Sequence, residues 1–449
     1  MRFFQSILTR CIAILFSLMA CAIISGCAST KIARPDQISA YKAAMAGKSH
    51  EARTILKQSE DDSFSKFLLS CIELSEGNLT VAKRYADEFM ASNPNTPDGR
   101  VLTELIAERK AYPSEPWTTS FASAWKASGS PKLTVVDYLE GALSEETENC
   151  ESRKVPEAVI GTPNELLVAG EIGLFCDHKK FTELCLAHTS SDTPMTIKLL
   201  ALKWLDYEVT PSDYKDSTIP ADLLKTAQQQ RRELVQEFSV QLPLDIAFAM
   251  MKILDQTSEE RIFSLTDIEN IEKAVSRPRL APMPEELYND YLKRFIALGS
   301  WNPQLSATNA VFSTIGLFHY PFILQKKISA TAKESPELRV RLAAICEKLG
   351  KAQLKQRTLI ELMEGTATFG VAAELGNNHR TQEQYRVLFS FMRKLIKGVE
   401  PAMASIYWPI RPLMIDSLEL KIKDAVGFDQ LFSDEEMPAE YVKLLNDLQ

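Results

Sequence analysis

Glycine is scarce in this chain, at 17 of 449 residues, well under the usual ~7%. Strict alternation of apolar and polar residues is scarce as well. Both shortages argue against a strand-and-turn protein and for helices. Past the first thirty residues there is no run of eighteen apolar residues, so nothing there reads as a membrane-spanning helix. Positive charge is not in excess: 51 Lys and Arg face 59 Asp and Glu, a net charge of −8. That balance argues against a general nucleic-acid or anionic-lipid surface.

Catalytic signatures are missing too. There is no HExxH, GxSxG, Walker loop, or GxGxxG opening a helix after a strand. Ser63-x-x-Lys66 has serine-acylase spacing, but no Lys-Thr-Gly follows, and a serine at a helix start reads as a cap. Glu334-Ser335 lacks the Gly-Leu-Met-Gln continuation of soluble lytic transglycosylases and reads as a surface turn before Pro336. Carboxylates are plentiful on helix faces, but nothing in the sequence singles out a catalytic pair.

What is present begins at the N-terminus. Arg2 and Arg10 form a basic region, and "CIAILFSLMACAII" an apolar core too short for the roughly 20 residues of a bilayer span. Ile24-Ser25-Gly26-Cys27 then resembles the lipobox of bacterial lipoproteins: an aliphatic residue, two small ones, and cysteine. That resemblance implies acylation of the Cys27 thiol, cleavage before it and removal of residues 1–26. Several acyl chains anchor firmly, since each buried methylene contributes about 0.8 kcal/mol. Ala28, rather than Asp, is similar to outer-membrane sorting in Gram-negative lipoproteins. Cleavage leaves 423 of the 449 residues and, with both arginines gone, takes the charge from −8 to −10.

The body reads as helix pairs. In "FSKFLLSCIELSEGNLTVAKRYADEFMASNPN", Phe64, Phe67, Leu68, Cys71 and Ile72 share one helical face. Glu76-Gly77-Asn78 breaks that helix with a residue suited to left-handed geometry. A second helix repeats the stripe at Val81, Tyr85 and Phe89, and Asn93-Pro94 ends it. This hairpin resembles a tetratricopeptide repeat: Gly77, Ala82 and Pro94 match, with Leu69-Ser70 for the Leu-Gly pair. It departs at Glu73, where the family has an aromatic, and in the exchanged small and bulky positions Ala86 and Phe89. "YKAAMAGKSHEARTIL" gives a partial copy with Gly47 and Ala52, and Gly47 lies 30 residues before Gly77, against 34 in a standard repeat. Fainter helix–turn–helix echoes follow near Asp177 and at Gly350. The expectation is an all-α fold of irregular antiparallel hairpins, stacked as a tetratricopeptide-like solenoid in one or two lobes. Its sections are the signal peptide 1–26, a lipidated tether 27–37, a repeat region 38–276 and a C-terminal helical region 277–449. The Pro-dense "RPRLAPMPEE" at 277–286 marks the main internal boundary, and residues 144–157 a weaker one.

One constellation has metal-like chemistry: Cys176, His178, Cys185 and His188. Zinc accepts thiolate and imidazole, and Cys185 and His188 share a helical face. The spacing matches no finger, so plain packing and a disulfide of Cys150 with Cys176 or Cys185 stand beside metal binding. Candidate partner-binding residues are Lys66, Glu73 and Lys83 on the first hairpins, with Tyr407, Trp408 and Arg411 in "SIYWPIRPLMI". The last three are types enriched at interface hot spots, although Phe318, Tyr320, Phe322 and Trp408 equally suit core plugs where helices turn. No cofactor is implied. The expected role is a non-enzymatic scaffold, anchored in the outer membrane through N-terminal acyl chains, facing the periplasm and holding a protein partner in a helical groove. That is the class of role that tetratricopeptide lipoproteins fill in envelope assembly. The alternatives are a glycan- or small-molecule-binding surface lipoprotein, and an all-helical enzyme acting on peptidoglycan.

Overall fold

The computed structural model describes residues 33–59, 61–134, 178–209, 219–257, 262–280, 320–356, 359–433 and 436–446. They are helical almost throughout. Among them the sole β-type pairing is an isolated bridge between Asp245 and Arg279. The chain divides into two compact units, each gathered from three stretches. Unit 1 takes Met1–Asn149, Leu292–Phe312 and Leu395–Asp434; unit 2 takes Cys150–Tyr291, Ser313–Lys394 and Glu435–Gln449. The boundary expected at 144–157, and residues 281–286 of the other, lie outside the described residues.

Unit 1 opens with α1 (Pro35–Met45), α2 (Ser49–Lys57), α3 (Ser63–Ser75), α4 (Leu79–Ser92), α5 (Pro97–Ala111) and α6 (Trp117–Ala127). Three of these helices end alike. Gly47, Gly77 and Gly129 adopt φ of +81°, +80° and +86°. After α3, Gly77 N–H donates to the Leu74 carbonyl and Asn78 N–H to that of Glu73, so carbonyls orphaned at the helix end are satisfied as the chain reverses. Gly47–Lys48 and Gly129–Ser130 repeat the pattern. At the start of α3, the Asp62 side chain accepts from Phe64 N–H and Ser65 N–H at 3.0 and 3.1 Å. The α3–α4 hairpin closes over buried Phe67, Cys71, Ile72, Ala82 and Phe89, and Ser70 Oγ donates to the Ala82 carbonyl at 2.7 Å.

The remaining elements of unit 1 come from far along the chain: the end of α15 (His379–Tyr407), α16 (Arg411–Lys423) and α17 (Ala425–Leu431). Gly398 of α15 lets α17 approach, since a Cβ there would stand 2.5 Å from the Asp429 carbonyl oxygen. α16 and α17 are joined by a buried ion pair, Lys421 Nζ to both Asp429 carboxylate oxygens at 3.0 Å.

Unit 2 holds α7 (His178–Ala187), α8 (Met195–Val209), α9 (Ala221–Gln241), α10 (Ile246–Gln256), α11 (Leu265–Val275) and α12 (Tyr320–Glu334). A 3-10 turn (Pro336–Leu338) leads into α13 (Arg339–Leu354) and α14 (Leu359–Gly376), followed by residues 379–394 of α15 and by α18 (Ala439–Asn446). Asp245 caps α10 through Ala247 N–H and Phe248 N–H, and Ser264 with Asp267 forms a capping box on α11. Consecutive helices from α7 to α11 pack on one another, α13 lies along α14, and α12 packs on α14 and α10. The helix pair expected around Gly350 is formed by α13 and α14, but the break falls after Leu354 and α13 runs through Gly350. A Cβ at Gly350 would stand 2.7 Å from the Phe369 ring and 3.0 Å from the Gly365 carbonyl. Its glycine serves close packing of two helices, not a turn.

Candidate functional site

Lys66, Glu73 and Lys83 do not converge. Glu73 is buried, accepting from Arg53 Nε at 2.6 Å and from Asn78 Nδ2 at 2.7 Å. Arg53 also binds Glu76, so Glu73 ties α2 to the end of α3. Lys66 pairs across the hairpin with Glu88 at 3.3 Å, and exposed Lys83 with Asp87 on its own helix at 2.8 Å.

Of Tyr407, Trp408 and Arg411, only Trp408 is buried; the other two are half-buried. Trp408 is 0% exposed, which removes it from any contact surface in this conformation. Its indole stands edge-on to Phe121 at 4.8 Å and to Phe67 at 5.6 Å between centroids, arrangements favoured by aromatic quadrupoles. Its Nε1 is buried with no acceptor among the described residues. Tyr407 offers its carbonyl to the Tyr41 hydroxyl at 3.0 Å. Arg411 lies against Gly47, where a Cβ would stand 3.3 Å from its Nε. Just beyond, one Asp416 carboxylate oxygen accepts from Thr118 N–H at 2.7 Å and Thr118 Oγ1 at 2.6 Å. Thr118 lies in the first turn of α6, whose own N-cap, Pro116, has no capping side chain. Asp416 therefore satisfies an orphan donor at the positive end of that helix.

The Cys/His constellation resolves into ordinary pairings among the described residues. His178 Nδ1 lies 2.7 Å from Glu208 Oε1, and His188 Nδ1 lies 2.8 Å from the Leu184 carbonyl. Cys185 is fully buried with a free thiol, pushed well above the usual thiol range by desolvation and the nearby Glu208 charge. Such a thiol is inert, and the Cys150–Cys185 pairing is not made. No group of three His, Cys, Asp or Glu able to hold a metal occurs among the described residues. Cys150, Cys176 and the lipobox residues Ile24, Ser25, Gly26 and Cys27 lie outside them.

The most unusual chemistry sits inside unit 2 and was not singled out from sequence. Glu361 and Glu364 lie at i, i+3 on α14, and Glu361 is buried. Glu364 accepts from Gln353 Nε2 of α13 at 3.4 Å. Gln353 Oε1 in turn accepts from Thr368 Oγ1 at 2.9 Å, and Gln325 Nε2 of α12 donates to that hydroxyl at 2.7 Å. Desolvation, reinforced by the Glu361 charge, holds Glu364 well above the usual carboxylate range. Burial lowers Lys203 of α8 to about 7, against the attraction of Glu361. The Tyr320 hydroxyl is raised by burial and by Glu364, Asp245 and Glu361. Burial thus favours the protonated form of Glu364, while Lys203, facing the neighbouring Glu361, is lowered to about 7. That combination can give and take protons where ordinary side chains cannot. The available signal was two carboxylates on one face of "LIELMEGTATFGVAAELG", a helix otherwise nearly free of charge.

No helix among the described residues is long and apolar enough to cross a membrane. Comparison with protein families, curated proteins and solved structures finds no match to this chain.

Proposed function

We propose that the chain is a lipid-anchored scaffold of the cell envelope, tethered through Cys27 and holding a protein partner on its helical hairpins. The observation that carries this reading is Ile24-Ser25-Gly26-Cys27 at the end of an apolar core, joined to a body of short helices. Support for a tetratricopeptide-like arrangement comes from α1–α2 and α3–α4, which reverse at glycines 30 residues apart and bury Ala52 and Ala82. The same box with Ala28 supports outer-membrane sorting, and the proposal places the body on the periplasmic side. The test has two parts. Palmitate labelling is expected in the wild type and lost in Cys27→Ala; label that persists in the variant overturns the anchor. A photo-crosslinker at exposed Lys83 is expected to capture one protein in cells, confirmed from that protein's side. A sugar bound in place of a protein overturns the scaffold.

A second reading, an all-helical envelope enzyme working by acid–base chemistry, is favoured by the Glu361–Glu364 pair with Lys203. It predicts soluble fragments from isolated peptidoglycan incubated with the protein and none with Glu364→Gln. The scaffold reading predicts none with either.

A further inference from the structure

Tyr320, the first residue of α12, is 6% exposed, yet its hydroxyl has no hydrogen-bond partner among the described residues. A buried tyrosine hydroxyl ordinarily has one. The packing of α12 on α14 fixes where it points. Gln325 Nε2 of α12 donates to Thr368 Oγ1 of α14 at 2.7 Å, and about one turn earlier on each helix Tyr320 comes level with Glu364. Every titratable group that acts on the hydroxyl is a carboxyl: Glu364 and Glu361 of α14, and Asp245, which caps α10. Glu361 and Asp245 are buried. Glu364 is half-buried; its Oε2 accepts from Gln353, and its Oε1 has no partner among the described residues. Lys203, also half-buried, faces Glu361 from α8, and burial lowers it to about 7, so near neutrality it carries less than a full charge. Arg277 reaches Asp245 through the backbone carbonyl at 2.9 Å and is not among the groups acting on the hydroxyl.

We infer that unit 2 binds the ammonium group of a small primary amine between Tyr320, Asp245, Glu361 and Glu364. An ammonium offers three N–H donors. The Tyr320 hydroxyl oxygen accepts one and the open Glu364 oxygen another, while Glu361 and Asp245 supply the opposite charge. A metal ion suits the cluster less well. It needs its ligands within about 2.0–2.6 Å, and no three His, Cys, Asp or Glu among the described residues are placed to hold one. Hydrogen bonds from an ammonium are longer, at about 2.7–2.9 Å, and fit a wider ring. The site is that of the enzyme reading, with its ligand class named, but capture of an amine needs neither turnover nor a lipid on Cys27.

Isothermal titration calorimetry of the full chain with putrescine, against uncharged butanediol of the same length, tests it. Putrescine should bind, and the diol should bind at least tenfold more weakly. Tyr320→Phe removes only the hydroxyl and breaks no hydrogen bond of the described residues, so its circular dichroism should match the wild type. It should lose about tenfold or more of the putrescine affinity, the effect of one hydrogen bond to a charged group. No heat of binding from putrescine, equal binding of the diol, or undiminished binding to Tyr320→Phe overturns the proposal. Should Tyr320→Phe fail to fold, Glu361→Gln, which keeps the size of the side chain, decides by the same loss or its absence. Failure of the enzyme reading is distinguishable: putrescine binding without peptidoglycan fragments refutes that reading alone, and fragments without putrescine binding refute this proposal alone.

Discussion

Replacing Trp408 by Phe should cost far less stability than the same change at Trp125. Both indoles are buried in unit 1 among aromatic rings, Trp125 against Phe432 at 5.8 Å and Trp408 against Phe121 at 4.8 Å. They differ in one hydrogen bond. Trp125 Nε1 donates to the Pro131 carbonyl at 2.9 Å, whereas Trp408 Nε1 has no acceptor among the described residues. Shrinking indole to phenyl loses packing at either site, on the order of 1–3 kcal/mol once the cavity is included. At Trp125 the change also removes a hydrogen bond and strands a carbonyl, adding about 1 kcal/mol. At Trp408 it deletes a buried unsatisfied donor, which returns roughly 1–3 kcal/mol. Trp408→Phe should therefore fall near zero and Trp125→Phe near 2–4 kcal/mol, a gap of about 2 kcal/mol or more. Urea unfolding followed by far-ultraviolet circular dichroism reads the difference without depending on the tryptophans. Equal losses, or a larger one at Trp408, would refute the reading of that indole as unsatisfied.

Gly398→Ala should destabilise by about 2 kcal/mol or more, although Ala is usually better than Gly inside a helix by about 1 kcal/mol. The new Cβ meets the Asp429 carbonyl at 2.5 Å, and a thermal melt unchanged or raised would show that α17 can yield. Glu364 has a folded pKa above its unfolded one, so its contribution is fully present below the unfolded value and is lost as pH rises toward the folded one. Glu364→Gln should accordingly gain stability relative to the wild type as pH rises above the ordinary glutamate value of 4.5 in urea titrations, and a difference independent of pH would contradict the shift. Cys185→Ser should leave the metal content of the purified protein unchanged while costing about 1–3 kcal/mol for a buried hydroxyl; metal lost with the thiol would restore the Cys/His site.

Local pattern made the helices legible, and the turns at Gly47 and Gly77 with them, because spacing and a left-handed glycine are properties of a few neighbouring residues. Gly350 misled for the same reason. In isolation a glycine in an amphipathic stretch reads as a breaker, and only the approach of Phe369 and the Gly365 carbonyl gives it another purpose. Trp408 was weighed both as a surface anchor and as a plug. Composition cannot choose between them, since the rings that bury it belong to α3 and α6, hundreds of residues earlier. Glu73 looked like an accessible carboxylate where the tetratricopeptide pattern has an aromatic. Its partners Arg53 and Asn78 explain the substitution: an ion pair and a hydrogen bond occupy the place of a ring.

The Glu361–Glu364 pair stayed hidden for a further reason, which α8 makes plain. That helix is buried on more than one side, since Leu199 and Leu202 are buried as well as the Ile197, Ala201, Trp204 and Leu205 face, so no single apolar face marks it. Apolar burial is non-directional and leaves the rotation of such a helix poorly specified. The polar residues of α8 supply direction, toward three neighbouring helices. Lys198 meets Glu237 of α9 at 2.7 Å, and Asp206 meets Arg231 of α9 at 2.7 Å, with Arg231 also reaching Asp255 of α10. Glu208 meets His178 of α7, and Lys203 faces Glu361 of α14. Buried pairs of this kind add little net stability, because desolvation offsets attraction. Their role here is to fix one register among several of similar apolar burial. Register accounts for Glu361, which meets a charge on α8. It does not account for Glu364, held by Gln353 and kept protonated beside its neighbour. A carboxyl that directs no helix and is costly to ionise is where a chemical role in unit 2 should be sought first.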